Sequence, residues 1–127
     1  MGYKIVIVDD EQEITENLKD EINELTSEFE IKCCNYGYDA LNEVFQGNVS
    51  LVISDIAMPD MDGYELYNRI KDYKQELPII MMTGFGYDPN HVLVNIKKFG
   101  KIEVLLKPFD TEKLLQKIRF YLQDERI

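Results

Sequence analysis

Five residues in this chain have side chains that could act together: Asp9, Asp10, Asp55, Thr83 and Lys107. Each stands at the end of a short apolar run, although the outermost two are 107 − 9 = 98 positions apart. The run at residues 51–55 (LVISD) delivers one carboxylate to its end, and a buried carboxylate is costly unless cations or hydrogen-bond donors compensate it. Three carboxylates brought into one crevice repel each other unless they share a divalent cation. The donors are all oxygens, with no imidazole or thiolate among them, so the expected ion is a hard one, Mg²⁺ before Zn²⁺. Magnesium keeps several waters and takes few protein ligands. Asp10 and Asp55 are therefore expected as direct ligands, Asp9 directly or through water, and the backbone carbonyl of Ala57 as a further one. A carboxylate can also attack phosphorus to give an aspartyl phosphate once the incoming charge is neutralised. The metal, the Lys107 ammonium and the Thr83 hydroxyl would do that, mainly by positioning and electrostatics.

Such convergence needs a particular arrangement of elements. Residues 4–8 (KIVIV) are β-branched and apolar throughout, as in a strand covered on both faces, and lead straight into Asp9-Asp10-Glu11. Ile14, Leu18, Ile22 and Leu25 recur at helical spacing, which predicts an amphipathic helix over residues 11–27. Residues 29–35 form a second strand, and Ala40, Leu41, Val44 and Phe45 mark a short helix that stops at Gly47. After LVISD and its loop, Tyr64, Leu66, Tyr67 and Ile70 give a third helix. Pro78 opens a strand over residues 79–82 that ends at Thr83-Gly84. Asp88-Pro89 starts a fourth helix with Val92, Ile96 and Phe99 inward, closed by Gly100. Residues 102–106 are a fifth strand ending at Lys107-Pro108, and Asp110 caps a last helix with Leu114, Ile118 and Tyr121/Leu122 inward. Strands alternating with helices, without hairpin signals, imply parallel crossovers and a (βα)₅ α/β fold with helices on both faces of the sheet. In such a sheet ligands bind beyond the carboxyl ends of the strands, where the five residues would meet.

Composition narrows the remaining possibilities. A length of 127 residues fits one domain, residues 1–127, with one substantial core. With 14 basic and 24 acidic side chains the net charge is −10, which disfavours nucleic acid and anionic membranes as direct ligands. Cys33 and Cys34 are sequence neighbours whose side chains on a strand point to opposite faces, so no mutual disulfide is expected. Reduced thiols, the lack of a signal-peptide pattern and the lack of any run of transmembrane length predict a soluble, cytoplasmic protein.

Taken singly, Asp9-Asp10 would be a helix cap, Thr83 a loop hydroxyl and Lys107 a solvated surface lysine. Asp60 and Asp62 precede Gly63 without the closing acid of a calcium loop, so turn and helix-start roles are expected for them. His91 falls in the first turn of the fourth helix, in an exposed or capping place. The ordered set is more specific: residues 8–11 (VDDE), Ser54-Asp55 with residues 58–63 (MPDMDG), Thr83-Gly84 and residues 107–109 (KPF). In this order, across essentially the whole chain, it resembles the CheY-like receiver domain of two-component response regulators.

The resemblance implies a doubly wound, three-layer sandwich with flavodoxin-like strand order 2-1-3-4-5. It implies that Asp55 accepts a phosphoryl group from a histidine kinase or histidine phosphotransfer protein, that Asp9 and Asp10 hold Mg²⁺, and that Lys107 contacts the phosphorylated side chain. Thr83 would move to hydrogen-bond the phosphoryl oxygens, which Ala57 and Gly84 would also contact. The added charge would then reshape the surface near the fourth helix, the fifth strand and the last helix for an output partner, or for a phosphorylation-dependent dimer. Such a protein is not a turnover enzyme in the usual sense. Two positions depart from the family pattern. Val104 stands where an aromatic residue usually swings inward with the threonine, so Phe85 and Tyr87 are the expected carriers of the readout. Ala57 has no polar side chain to orient an attacking water, which predicts a long-lived phosphoryl group. It also lacks the acid that an aspartate-nucleophile phosphatase needs at that position. The other alternative is a receiver-like interaction module that is no longer phosphorylated.

Overall fold

The fold is taken from a computed structural model that describes residues 2–56, 58–83, 103–106 and 110–124. Five strands, β1 (Tyr3–Val8), β2 (Phe29–Cys34), β3 (Val49–Asp55), β4 (Ile79–Thr83) and β5 (Glu103–Leu106), form one sheet in the order β2-β1-β3-β4-β5. All four pairings are parallel, as the alternation of strands and helices requires. Three helices, α1 (Gln12–Leu25), α2 (Gly37–Gln46) and α3 (Gly63–Tyr73), are followed by a C-terminal helix (Thr111–Asp124). The expected helix over residues 88–100, with His91, Val92, Ile96 and Phe99, lies outside the described residues. So do Phe85, Tyr87, Pro108 and Phe109. No helix among the described residues is long and apolar enough to cross a membrane.

The alternation of side chains along each strand splits the core in two. Val6, Val8, Val52 and Met81 pack with Ala40, Leu41 and Val44 of α2 and Leu66 and Ile70 of α3. Ile5, Ile7, Leu51, Ile53, Ile80 and Met82 pack instead with Leu18 and Ile22 of α1 and with Leu114, Ile118 and Leu122 of the C-terminal helix. Each such side chain removed from water contributes about 1.5–3 kcal/mol, and nearly continuous apolar strands supply both layers at once. Cys34 belongs to the first layer while Cys33 packs against the second, and both thiols are free. The faces of β2 therefore separate the cysteines as their adjacency in sequence predicts.

Local chemistry fixes the helix ends. Asp62 caps α3, its Oδ1 accepting the Glu65 N–H at 2.8 Å. Gly47 ends α2 with φ of 92°, in the left-handed region that glycine enters at least cost. The buried stripe of α1 is Thr15, Leu18 and Ile22, one residue off the expected start at Ile14. Leu25, expected inward, is 44% exposed because the helix reaches its last residue there and the chain turns away.

Candidate functional site

The carboxyl ends of β1 and β3 lie side by side, since Val8 pairs with Ser54 one step before each strand delivers its acid. Asp9, Asp10 and Asp55 each offer a carboxylate oxygen, and these three oxygens lie within 4.8 Å of one another. Asp9 is 1% and Asp55 7% exposed, whereas Asp10 stands open to solvent. Two buried carboxylates and one exposed carboxylate, at separations a single small cation can span, make an all-oxygen donor set. It fits Mg²⁺ in donor chemistry and in number, because an octahedral ion that keeps several waters needs only two or three protein oxygens.

The main chain around these acids is held from several directions. The Asp9 N–H donates to the Cys34 carbonyl at 3.1 Å, and the Asn35 side-chain amide donates to the Asp9 carbonyl at 2.9 Å. Asp9 Oδ1 also accepts the Glu11 N–H at 3.0 Å, tying the carboxylate to the entry of α1. Asn35 further reaches the buried Thr15 hydroxyl at 3.4 Å, and that hydroxyl donates to the Gln12 carbonyl at 2.9 Å.

Beyond Asp55, the Ile56 N–H continues the sheet by donating to the Met82 carbonyl at 3.1 Å, and the Gly63 N–H closes the loop onto the Ile56 carbonyl at 2.8 Å. The approach at Gly63 is so close that a Cβ there would lie 2.5 Å from the Asp55 carbonyl oxygen and 2.8 Å from the Ile56 Cα. Only glycine fits at this position without moving backbone. The buried Ser54 hydroxyl donates to that same Asp55 carbonyl at 2.9 Å. Met58 and Met61 of the loop are buried in the α2–α3 layer, and Asp60 reaches out of it to α2.

Thr83 ends β4 next to this loop, the Met82 preceding it pairing with Asp55. It is 1% exposed, and its hydroxyl has no hydrogen-bond partner among the described residues. A buried hydroxyl without a partner costs about 1–3 kcal/mol, which is uncommon enough to mark a place where something else binds. Val104 is the β5 partner of Met81 and is half-buried against the α2–α3 layer. Ala57, Gly84 and Lys107 lie outside the described residues. Of the expected site, Asp9, Asp10 and Asp55 are thus brought together, with Thr83 on the neighbouring strand.

Asn35 and Thr15, which hold the Asp9 segment in place, have no such role in the sequence reading, and Asp60 meets its expected helix-start role at α2. One signal was available: Thr15 occupies the first position of a helical stripe otherwise made of Leu18 and Ile22, so its hydroxyl had to find a partner inside.

Comparison with known proteins agrees with this geometry. The family model described as "Response regulator receiver domain" matches residues 5–119. A response regulator receiver domain protein from Clostridium thermocellum superposes with a TM-score of 0.85 at 25% identity, over 98% of this chain and 97% of its own. The receiver domain of a signal transduction histidine kinase from Syntrophus aciditrophicus gives 0.84 at 27% identity, over 97% and 92%. Chemotaxis protein CheY4 of Vibrio cholerae gives 0.81 at 25% identity, over 96% and 100%.

Proposed function

The chain belongs to the family of response regulator receiver domains, and on that premise we propose that Asp55 is its phosphoacceptor. The observation that carries this reading is the set of three carboxylates within 4.8 Å at the ends of β1 and β3. In the proposed reaction an Asp55 oxygen attacks the phosphorus of a phosphohistidine. The P–N bond breaks as the P–O bond forms, and the imidazole of the donor leaves. Asp10 and Asp55, with Asp9 directly or through water and the Ala57 carbonyl, would hold Mg²⁺ there. When bound, the ion offsets the charge of the phosphoryl oxygens. Lys107 supplies an ammonium to the phosphorylated side chain. Thr83 donates its hydroxyl to a phosphoryl oxygen, a role supported by its burial and its lack of a partner among the described residues. Gly84 adds a contact to the same group.

The donor is a histidine kinase or a histidine phosphotransfer protein in the cytoplasm. The protein takes up one phosphoryl group and assists its loss, rather than turning over a substrate. Ala57 leaves attacking water unoriented, so hydrolysis in the wild type should be slower than in Ala57→Asn; equal or faster loss from the wild type refutes that point.

The deciding measurement is intact mass after acetyl phosphate and Mg²⁺. The wild type should gain one phosphoryl group and Asp55→Asn none; an unmodified wild type overturns the proposal. That outcome would favour the second reading, a receiver-fold interaction module that is no longer phosphorylated, which draws its support from Val104 at the position where an aromatic is usual.

A further inference from the structure

Three residues that contribute no ligand, Asn35 in the β2–α2 connection and Gly37 and Tyr38 at the start of α2, bond to both acid-bearing segments. On one side the Asn35 amide donates to the Asp9 carbonyl at 2.9 Å, next to the bond from the Asp9 N–H to Cys34. On the other side the Gly37 and Tyr38 N–H groups donate to the two carboxylate oxygens of Asp60, each at 3.1 Å. Asp60 thus caps α2 from a different loop, in place of Tyr36, whose own side chain makes no capping bond. Glycine at position 37 lets the two segments approach, since a Cβ there would stand 3.0 Å from Met61 Cβ.

We propose that this connection is a positioning clasp, with Asn35 and Asp60 as its two hooks, which sets the separation between the Asp9-Asp10 pair and Asp55. The inference rests on the phosphoacceptor reading above and extends it to residues that never touch the ion or the phosphoryl group. The loop after Asp55 is closed on itself at Ile56 and Gly63, so holding it at Asp60 fixes it as a unit. Asp9, in turn, is held through its main chain, so its carboxylate has little room to withdraw. Outer residues that orient metal ligands are commonly worth 10-fold or more in affinity. A clasp also differs from two independent supports, because with one hook open the other no longer transmits anything between the segments.

The test is Mg²⁺ affinity by calorimetric titration of wild type, Asn35→Ala, Asp60→Ala and the double variant, with Asn42→Gly as a control that weakens α2 at an exposed position away from the clasp. Each single hook variant should bind Mg²⁺ about 10-fold more weakly. The double variant should be little worse than the weaker single one, Asp60→Asn should recover part of the loss, and Asn42→Gly should bind like the wild type. Because linkage is reciprocal, Mg²⁺ should in turn slow amide exchange at Gly37 and Tyr38 of the wild type, a readout that needs no variant to fold. Wild-type affinity in both hook variants, losses that multiply in the double variant, or exchange at Gly37 and Tyr38 unchanged by Mg²⁺ would each overturn the clasp while leaving the phosphoacceptor reading intact. A wild type that does not bind Mg²⁺ at all would remove both.

Discussion

At the ends of β1 and β3 the chain is tied down on several sides. Asp9 is bonded through its N–H, its carbonyl and its carboxylate, and the Asp55 carbonyl takes the Ser54 hydroxyl with Gly63 pressed against it. One strand further along, Thr83 is as buried as Asp9, yet its hydroxyl makes no hydrogen bond among the described residues. Both regions lie on the same sheet edge, so the difference is one of bonding and not of burial. The first region has its main chain held by hydrogen bonds, which fixes where its carboxylates stand. The second keeps one donor in reserve and so has something to gain from an arriving oxygen.

If the acid side is fixed by close packing, Gly63→Ala should be the most damaging change, because its Cβ would meet the backbone of Asp55 and Ile56 as well as the Met81 side chain. A loss of about 3 kcal/mol in denaturant unfolding is expected, and a near-neutral result would break the contrast. Asp62→Ala removes the cap of α3 and should cost about 1 kcal/mol by the same assay. Thr83→Val tests the other side with the opposite sign: it deletes a hydroxyl with no partner among the described residues and keeps the shape, so stability should rise by about 1 kcal/mol while phosphorylation-dependent NMR shifts in β4 and β5 shrink. Destabilisation on the scale of Gly63→Ala would show that Thr83 is bonded in the resting protein as firmly as Asp9.

The smallest effect concerns pH and Cys34. Burial, helped by the nearby acids Glu43 and Asp39, pushes this thiol from 9.0 up to about 11. The unfolded chain then releases the Cys34 proton at lower pH than the folded one, so this contribution to stability is present below pH 9 and is lost as pH rises towards 11. Between pH 8 and pH 10 the unfolding midpoint should therefore fall further for the wild type than for Cys34→Ala, which lacks that slope; equal falls would refute the shift.

β1, β3 and β4 were legible because burial on both faces leaves no polar alternation to misread, and their ends were legible because each of these apolar runs stops at an acid or a hydroxyl. The reading of Asp62 as a helix start was equally local, since a cap and its helix are adjacent in sequence. Asp60 also takes its expected helix-start role, but at α2: its partners, Gly37 and Tyr38, lie more than twenty positions upstream, so which helix it caps is not legible in the sequence. Asn35, expected as the last residue of the second strand, was missed for the same reason, since its partner Asp9 is distant in sequence. Leu25 shows the converse limit, for a periodic pattern continues on paper past the point where the helix still faces the core.

The close approach at Gly63 also constrains how α3 can respond. With its first residue packed against the Asp55 backbone, the helix has a close contact at its N-terminus that could serve as a pivot for a tilt. Eleven residues make a lever roughly 16 Å long, so a tilt of about 5° would carry Tyr73 by about 1.4 Å while barely moving Tyr64. At the far end Tyr73 meets Phe45 of α2 edge-to-face, ring centres 4.7 Å apart, a geometry sensitive to displacements of that size. Ring resonances that shift more at Tyr73 than at Tyr64 on phosphorylation are the signature of such a lever; equal shifts would mean that α3 stays still.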